Sequence, residues 1–299
     1  GLAGPWIDER RARLAGRAPE IVAYGLRGLD DERSWRLRAE LEPKAPRQVV
    51  RSLSRLQAES ERGRALCERL VESVPRDVAS VLDGSDSDFA WALRERLAAR
   101  EPDRVVASLA QVDSDRAWRW RERWLAEHGD DAVFQDYETA KSIANSVVGL
   151  DGERAWEVRE AALAEAPAVA IASVGRLVSE RAWQWRADYL HKATKIVMET
   201  VRGSDDERAW ALRASVCGVC KEALDSIRHM DSDLAWGLRE RCQDVWPSTV
   251  VKSLGRQADT SRGKALVERQ LAEHPQSLSL RKHVAAIALG QNGADLDAP

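Results

Sequence analysis

A C-x-x-C pair is the part of the sequence closest to a chemical motif. Cys217 and Cys220 form C-G-V-C, a spacing typical of zinc ligands and of redox dithiols. A structural zinc site needs four ligands, and the other two cysteines, Cys67 and Cys242, stand alone in the sequence. The pattern therefore favours small core or turn residues, with a zinc or redox role as the alternative. We expect neither a metal nor a cofactor.

Tryptophan and arginine form a second recurring pattern. The chain has 12 tryptophans, and seven of them, the anchor tryptophans, are each followed by an arginine three residues later. The pairs are Trp35–Arg38, Trp91–Arg94, Trp118–Arg121, Trp156–Arg159, Trp183–Arg186, Trp210–Arg213 and Trp236–Arg239. Residues three apart share a helix face, so each guanidinium can stack on an indole. The pattern predicts a buried Trp–Arg brace between helices, with an aromatic ladder for single-stranded nucleic acid as the alternative.

Acidic residues recur at fixed places before the anchors. Aspartate lies five residues before six of them, at Asp30, Asp86, Asp113, Asp151, Asp205 and Asp231. We interpret these aspartates as helix N-caps, and the Glu or Asp two residues further on as a partner of the helix dipole. The sequence has no Gly-rich phosphate loop, no H-E-x-x-H and no G-x-S-x-G motif. We therefore expect a protein that is not an enzyme.

The anchors mark an internal repeat. Most are 26 or 27 residues apart, and two gaps are filled by repeats with Arg64 or Lys264 in place of tryptophan. A degenerate first repeat in residues 1–30 has Asp8 at the anchor position, which makes ten units. In most units a proline follows the anchor by eleven residues, where it ends one helix and begins the next. Each unit is therefore predicted to contain two short helices.

The second predicted helix of a unit has one apolar face. Apolar residues lie three, four and seven positions after the proline, as in Val105, Val106 and Leu109. A small residue lies six positions after it, as in Ser108, and we interpret it as a spacer that lets helices approach closely. Units of this size bury their apolar faces by stacking on each other. The sequence predicts an all-α fold, an α-solenoid of about ten two-helix repeats, in a single domain over residues 1–299 that closes with a capping helix and tail over 276–299.

The repeat pattern resembles HEAT-type bihelical repeats across the whole chain, although their usual period is longer. This likeness implies an architecture and no active-site residue. The wording of the repeat, as in ERAWEVRE at 153–160, also resembles the repeat tracts that follow the kinase domain in large actinobacterial thymidylate kinase-like proteins. Because G-x-x-x-x-G-K-[ST] is absent from this sequence, that resemblance implies a non-catalytic accessory portion.

An insertion interrupts the repeat. Trp118 and Trp156 are 38 residues apart, and the surplus lies in residues 129–139, an acidic stretch that contains Phe134 and Tyr137. Insertions in helical repeats project from one edge and often contact partners. We predict a partner-binding segment, with a tolerated surface loop or an extra helical turn as the alternative.

A basic row is the second feature that varies between repeats. It lies eight or nine residues after the proline position and contains Arg27, Arg55, Arg176, Arg202, Arg228 and Arg256, with Arg51 and Lys252 four residues before two of them. By analogy with other solenoids, in which second helices line the concave surface, these residues could form a basic stripe. We expect a protein partner, which an acidic surface would suit, on the concave face. A nucleic-acid partner and a merely solvated charge row are the alternatives.

The overall charge limits the class of partner. The chain has 46 Lys and Arg against 49 Asp and Glu, a net charge of −3, so binding of nucleic acid by bulk positive charge is disfavoured. No apolar run approaches the length of a membrane span, and we expect no membrane association. Four cysteines in 299 residues indicate a reducing compartment, which predicts a cytoplasmic protein.

Overall fold

The computed structural model describes residues 11, 13–130, 133–134 and 136–288, and the side chains of 128–135 and 288 lie outside what it describes. The chain divides between Ser173 and Val174 into two compact units. The all-α class is confirmed apart from one antiparallel pair of two-residue strands, Gly129–Asp130 and Val133–Phe134. The anchor position of the predicted first repeat, Asp8, lies outside the described residues.

The first helices carry the anchors. Their bounds are Glu32–Leu41, Glu61–Leu70, Asp88–Leu97, Asp115–His128, Glu153–Ala162, Glu180–Tyr189, Glu207–Val216, Asp233–Cys242 and Ser261–Glu273. The N-cap is the residue four before the anchor: Ser87 Oγ, for example, accepts from the backbone N–H of Ala90 over 3.1 Å. The prediction that the aspartate five before the anchor is the N-cap is therefore wrong by one residue. Asp and Ser are equally good caps in sequence, and only the backbone geometry separates them.

The second helices are short and mostly begin at proline. Their bounds are Pro19–Tyr24, Pro46–Arg51, Pro75–Val81, Pro102–Ala107, Tyr137–Ser146, Pro167–Ala172, Thr194–Thr200, Glu222–Asp225 and Pro247–Leu254. Proline fits the first helical position because its fixed φ is helical and no N–H is needed there, so this prediction is confirmed. A final helix, Leu278–Ala288, lies within the predicted capping segment. Residues 289–299 of the predicted tail lie outside the description.

The core lies between the two kinds of helix. Val105, Val106 and Leu109 are buried, as are their counterparts in the other repeats. Within each compact unit, a second helix contacts the second helix of the next repeat; Pro46–Arg51, for example, contacts both Pro19–Tyr24 and Pro75–Val81. Each also packs on the first helix of its own repeat. Burial of the apolar face thus depends on a neighbouring repeat.

The two repeats without an anchor tryptophan share a different local structure. A short extra helix, Arg55–Glu59 in one and the 3-10 helix Gly255–Asp259 in the other, packs against the following first helix. Glycine replaces the alanine found before most other anchors, because a Cβ on Gly63 would lie 1.8 Å from the carbonyl oxygen of Gln57. These repeats are therefore a distinct variant.

The insertion combines helix and strand. The first helix Asp115–His128 has 14 residues against 10 in most others, and the strand pair follows it before Tyr137–Ser146 begins. Tyr137 is exposed, whereas the side chain of Phe134 lies outside the described residues. Beyond the insertion the repeat resumes, since Ser146 takes the place that Ser108 has in the preceding repeat.

Candidate functional site

Each anchor tryptophan is covered by the arginine three residues after it. The guanidinium carbon lies between 4.4 and 4.8 Å from the centroid of an indole ring in all seven pairs. At this distance a cation and an aromatic face attract each other. All seven arginines are buried, and six of the seven indoles are buried while Trp35 is half-buried.

The buried guanidinium also binds the ends of two second helices. Arg94 donates from Nε to Ser108 Oγ over 2.9 Å, from Nη1 to the Ser85 carbonyl over 2.8 Å and from Nη2 to the Leu82 carbonyl over 2.9 Å. Carbonyl groups at a helix C-terminus lack partners within the helix and carry the negative end of its dipole. The arginine therefore caps two consecutive helices at once and replaces the water that it loses.

The charge of these arginines survives burial. Burial lowers the pKa of Arg94, Arg121, Arg186, Arg213 and Arg239 to about 10, which leaves each of them protonated at neutral pH. The small residue in the second helix accepts one of their hydrogen bonds, as Ser108 does from Arg94. Its interpretation as a spacer alone missed this role, and the recurrence of serine over alanine was the available signal.

The recurrent aspartate holds the indole. Trp91 Nε1 donates to Asp86 Oδ1 over 2.8 Å, and the same bond forms in six repeats at 2.7 to 3.0 Å. The six aspartates are Asp30, Asp86, Asp113, Asp151, Asp205 and Asp231. Their function is to fix the tryptophan ring, because the next residue already caps the helix.

Arginines of the following repeat cover the second face of several indoles. Arg116 lies 4.7 Å from the ring of Trp91 and also pairs with Glu95 over 2.9 Å. Arg154 on Trp118, Arg208 on Trp183 and Arg262 on Trp236 repeat this contact at 4.5 to 5.0 Å. A ring buried between two guanidiniums has no face left for a nucleobase. The structure therefore supports the Trp–Arg brace and not the aromatic ladder.

The basic row has a different environment. Arg27, Arg176, Arg202 and Arg256 are exposed, and the described residues give their guanidiniums neither a hydrogen bond nor an ion pair. Arg228 and Lys252 are half-buried. In residues 174–299 the row therefore supplies one arginine to each successive repeat.

Two members of the row in the first compact unit are engaged. Arg51, together with Arg47, pairs with the buried carboxylate of Asp77, so it serves packing between second helices. Arg55 Nη1 donates to the carbonyl of Gly84 over 3.1 Å. The row is interrupted at Gly84 and Gln111, which have φ of 74° and 65°, a left-handed conformation that favours glycine or a polar residue over arginine.

The four cysteines are free thiols. Cys220 is buried and its Sγ donates to Glu222 Oε2 over 3.0 Å, whereas Cys217 contacts Cys242 of the next repeat. Within the described part of the chain, no three His, Cys, Asp or Glu side chains are grouped as metal ligands would be. The sequence motif C-G-V-C thus concealed a pairing with a cysteine further along the chain.

No family model matches the chain, and it matches none of the curated proteins and none of the solved structures. The resemblances to HEAT-type repeats and to the kinase-associated repeat tracts therefore stay predictions. None of the helices in the described residues combines the length and the apolar character that a membrane crossing requires.

Proposed function

We propose that the chain is a cytoplasmic, non-enzymatic α-solenoid, HEAT-like in organisation, that binds an acidic protein partner through the basic row. One observation carries the proposal: Arg176, Arg202 and Arg256 recur at matching places in residues 174–299, yet they are exposed and unpaired among the described residues. The serial contacts between second helices support the solenoid, because such contacts build the inner layer of that architecture.

The contrast with the other arginines supports a binding role. Arginines of the brace, such as Arg94, are buried and fully engaged in capping helices. Arginines on the first helices, such as Arg208, pair with a carboxylate of the preceding repeat, in this case Glu180 over 2.9 Å. Stacking therefore explains both of these sets and leaves the basic row unexplained.

The local charge pattern favours a protein over a nucleic acid. Acidic residues begin the first helix that follows each row arginine; Asp205, Asp206 and Glu207 follow Arg202. A polyphosphate backbone running along the row would pass these carboxylates and be repelled by them. A folded partner can present carboxylates to the arginines and other groups to the acidic residues, which is how complementary protein interfaces are arranged.

A charge-reversal experiment tests the proposal. The row variant carries Arg176→Glu, Arg202→Glu and Arg256→Glu, and the matched control carries Lys192→Glu, Lys264→Glu and Arg269→Glu, three exposed cations outside the row. Proteins captured by the immobilised full chain are identified by mass spectrometry, and the most abundant acidic one is purified and titrated against all three chains. We expect the row variant to lose at least about tenfold in affinity and the control less than about twofold.

Two results would overturn the proposal. Equal affinity of the row variant and the parent for every captured protein would remove the basic row from the interface. Capture that disappears after nuclease treatment, with an affinity for single-stranded DNA that falls steeply with salt, would assign the surface to nucleic acid.

A further inference from the structure

Cys217 and Cys242 lie together although 25 residues separate them. Cys217 is the C-cap of Glu207–Val216, and Cys242 is the last residue of the next first helix, Asp233–Cys242. The Sγ of Cys242 donates to the backbone carbonyl of Cys217 over 3.3 Å. The two thiols thus meet where consecutive repeats pack.

The contact brings together one accessible and one protected sulfur. Cys217 is half-buried, and Arg241 Nη2 donates to its Sγ over 3.3 Å. Cys242 is fully buried, and burial together with the neighbouring Cys217 thiol raises the pKa of Cys242 well above its usual value. Cys217 is therefore the thiol that meets a reagent from solution first, and Cys242 is poised behind it.

Stacking of repeats does not require sulfur at these positions. The residue six after the anchor is Leu97 in one repeat and Ala162 in another, and both are buried apolar side chains. The residue seven after the anchor is Leu190 in the repeat before Cys217. Apolar packing alone would be served by leucine or alanine, so the pairing of two cysteines calls for a chemical explanation.

We propose that Cys217 and Cys242 form a thiol pair that a low-molecular-weight disulfide, such as glutathione disulfide, oxidises to a disulfide between consecutive repeats. The thiolate of Cys217 attacks one sulfur of the reagent, and the S–S bond of the reagent breaks to release one glutathione thiolate. The sulfur of Cys242 then attacks Cys217 Sγ and expels the second glutathione, which takes the proton of Cys242. Two protein thiols are oxidised by two electrons, and one glutathione disulfide becomes two glutathione thiols.

The surroundings favour this order of events. The exposed guanidinium of Arg241 beside Cys217 Sγ can pair with a carboxylate of the glutathione peptide. The resulting bond would close a loop across two repeats and restrict the unfolded chain more than the folded one. We therefore expect oxidation to stabilise this part of the protein.

The experiment exposes the full chain to glutathione disulfide and maps the cross-link by mass spectrometry without reduction. Trypsin leaves Cys217 and Cys220 in one peptide, 214–221, and Cys242 in another, 242–252. The variant Cys220→Ser therefore makes the assignment unambiguous. We expect the 214–221 and 242–252 peptides to be joined in the parent and in Cys220→Ser, with a Tm at least about 5 °C higher than in the reduced protein.

Two further variants separate the steps. Cys217→Ser should form no cross-link and show no rise in Tm, and Cys242→Ser should retain glutathione on Cys217. A cross-link between Cys220 and Cys242, or a parent chain that keeps glutathione on Cys217 without forming the internal bond, would overturn the proposal. Because these readings include the unmutated chain, the proposal does not depend on the folding of any variant.

Discussion

Val178 lies five residues before Trp183, at the place from which an aspartate holds the indole in six other repeats. Trp183 is buried, and its Nε1 has no hydrogen-bond partner in the described structure. Val178 itself is exposed over 75% of its surface. One repeat thus lacks the acceptor while it keeps the tryptophan, the covering Arg186 and the capping Ser179.

We predict that Val178→Asp stabilises the protein. The new carboxylate should accept from Trp183 Nε1 as Asp205 does from Trp210 over 2.8 Å, and a satisfied buried donor contributes about 0.5–1.5 kcal/mol. The measurement is the free energy of unfolding in urea. Val219→Asp is the matched control, because Val219 is also exposed and no indole lies five residues after it. Equal effects of the two substitutions would contradict the role given to the aspartate.

Removing a brace arginine should be costly. Arg94→Met leaves Ser108 Oγ and the carbonyls of Ser85 and Leu82 buried without their donor, and we expect a loss of about 3–5 kcal/mol in the free energy of unfolding. Arg96→Met on the same helix removes only an exposed ion pair with Glu72 at 3.2 Å and should cost less than about 1 kcal/mol. Similar denaturation midpoints for the two variants would show that the buried hydrogen bonds contribute little.

The sequence predicts what depends on local pattern and misses what depends on three-dimensional neighbours. Proline at the start of second helices and the buried face of Val105, Val106 and Leu109 follow from spacing within one helix, and both agree with the structure. The bonds from Arg94 to the end of the preceding second helix, and the contact of Cys217 with Cys242, join separate elements. Spacing along the chain does not encode these distances, so their partners could not be assigned.

The two variant repeats depend on a close backbone approach. A Cβ on Gly63 would meet the Gln57 carbonyl oxygen at 1.8 Å, and backbone cannot rotate away as a side chain does. Gly63→Ala should therefore force the helix Arg55–Glu59 off its neighbour and lower the free energy of unfolding by at least about 2 kcal/mol. Gly237→Ala is the control: Gly237 lies in a helix with open space around its Cβ, so alanine should stabilise by about 1 kcal/mol. Thermal melting distinguishes the opposite signs.

A carboxylate that joins two repeats should make stability depend on pH. Glu59 accepts from Ser87 Oγ at 2.7 and 2.9 Å and from Ser85 Oγ, and Ser87 is the N-cap of Asp88–Leu97. Partial burial opposes ionisation, but these hydrogen bonds and Arg64 outweigh it and hold the pKa of Glu59 below its usual value.

The sign of the effect follows from that lowered pKa. The unfolded chain binds the proton more tightly than the folded one, so the stabilisation is complete above the ordinary pKa of Glu and is lost as pH falls through the folded value. Glu59→Gln should therefore be less stable than the parent at pH 7, with a difference that shrinks below about pH 4.5. Urea midpoints over a pH series measure it, and Glu61→Gln, an exposed neighbour, should follow the parent. A difference that stays constant with pH would show that the charge of Glu59 does not hold the two repeats together.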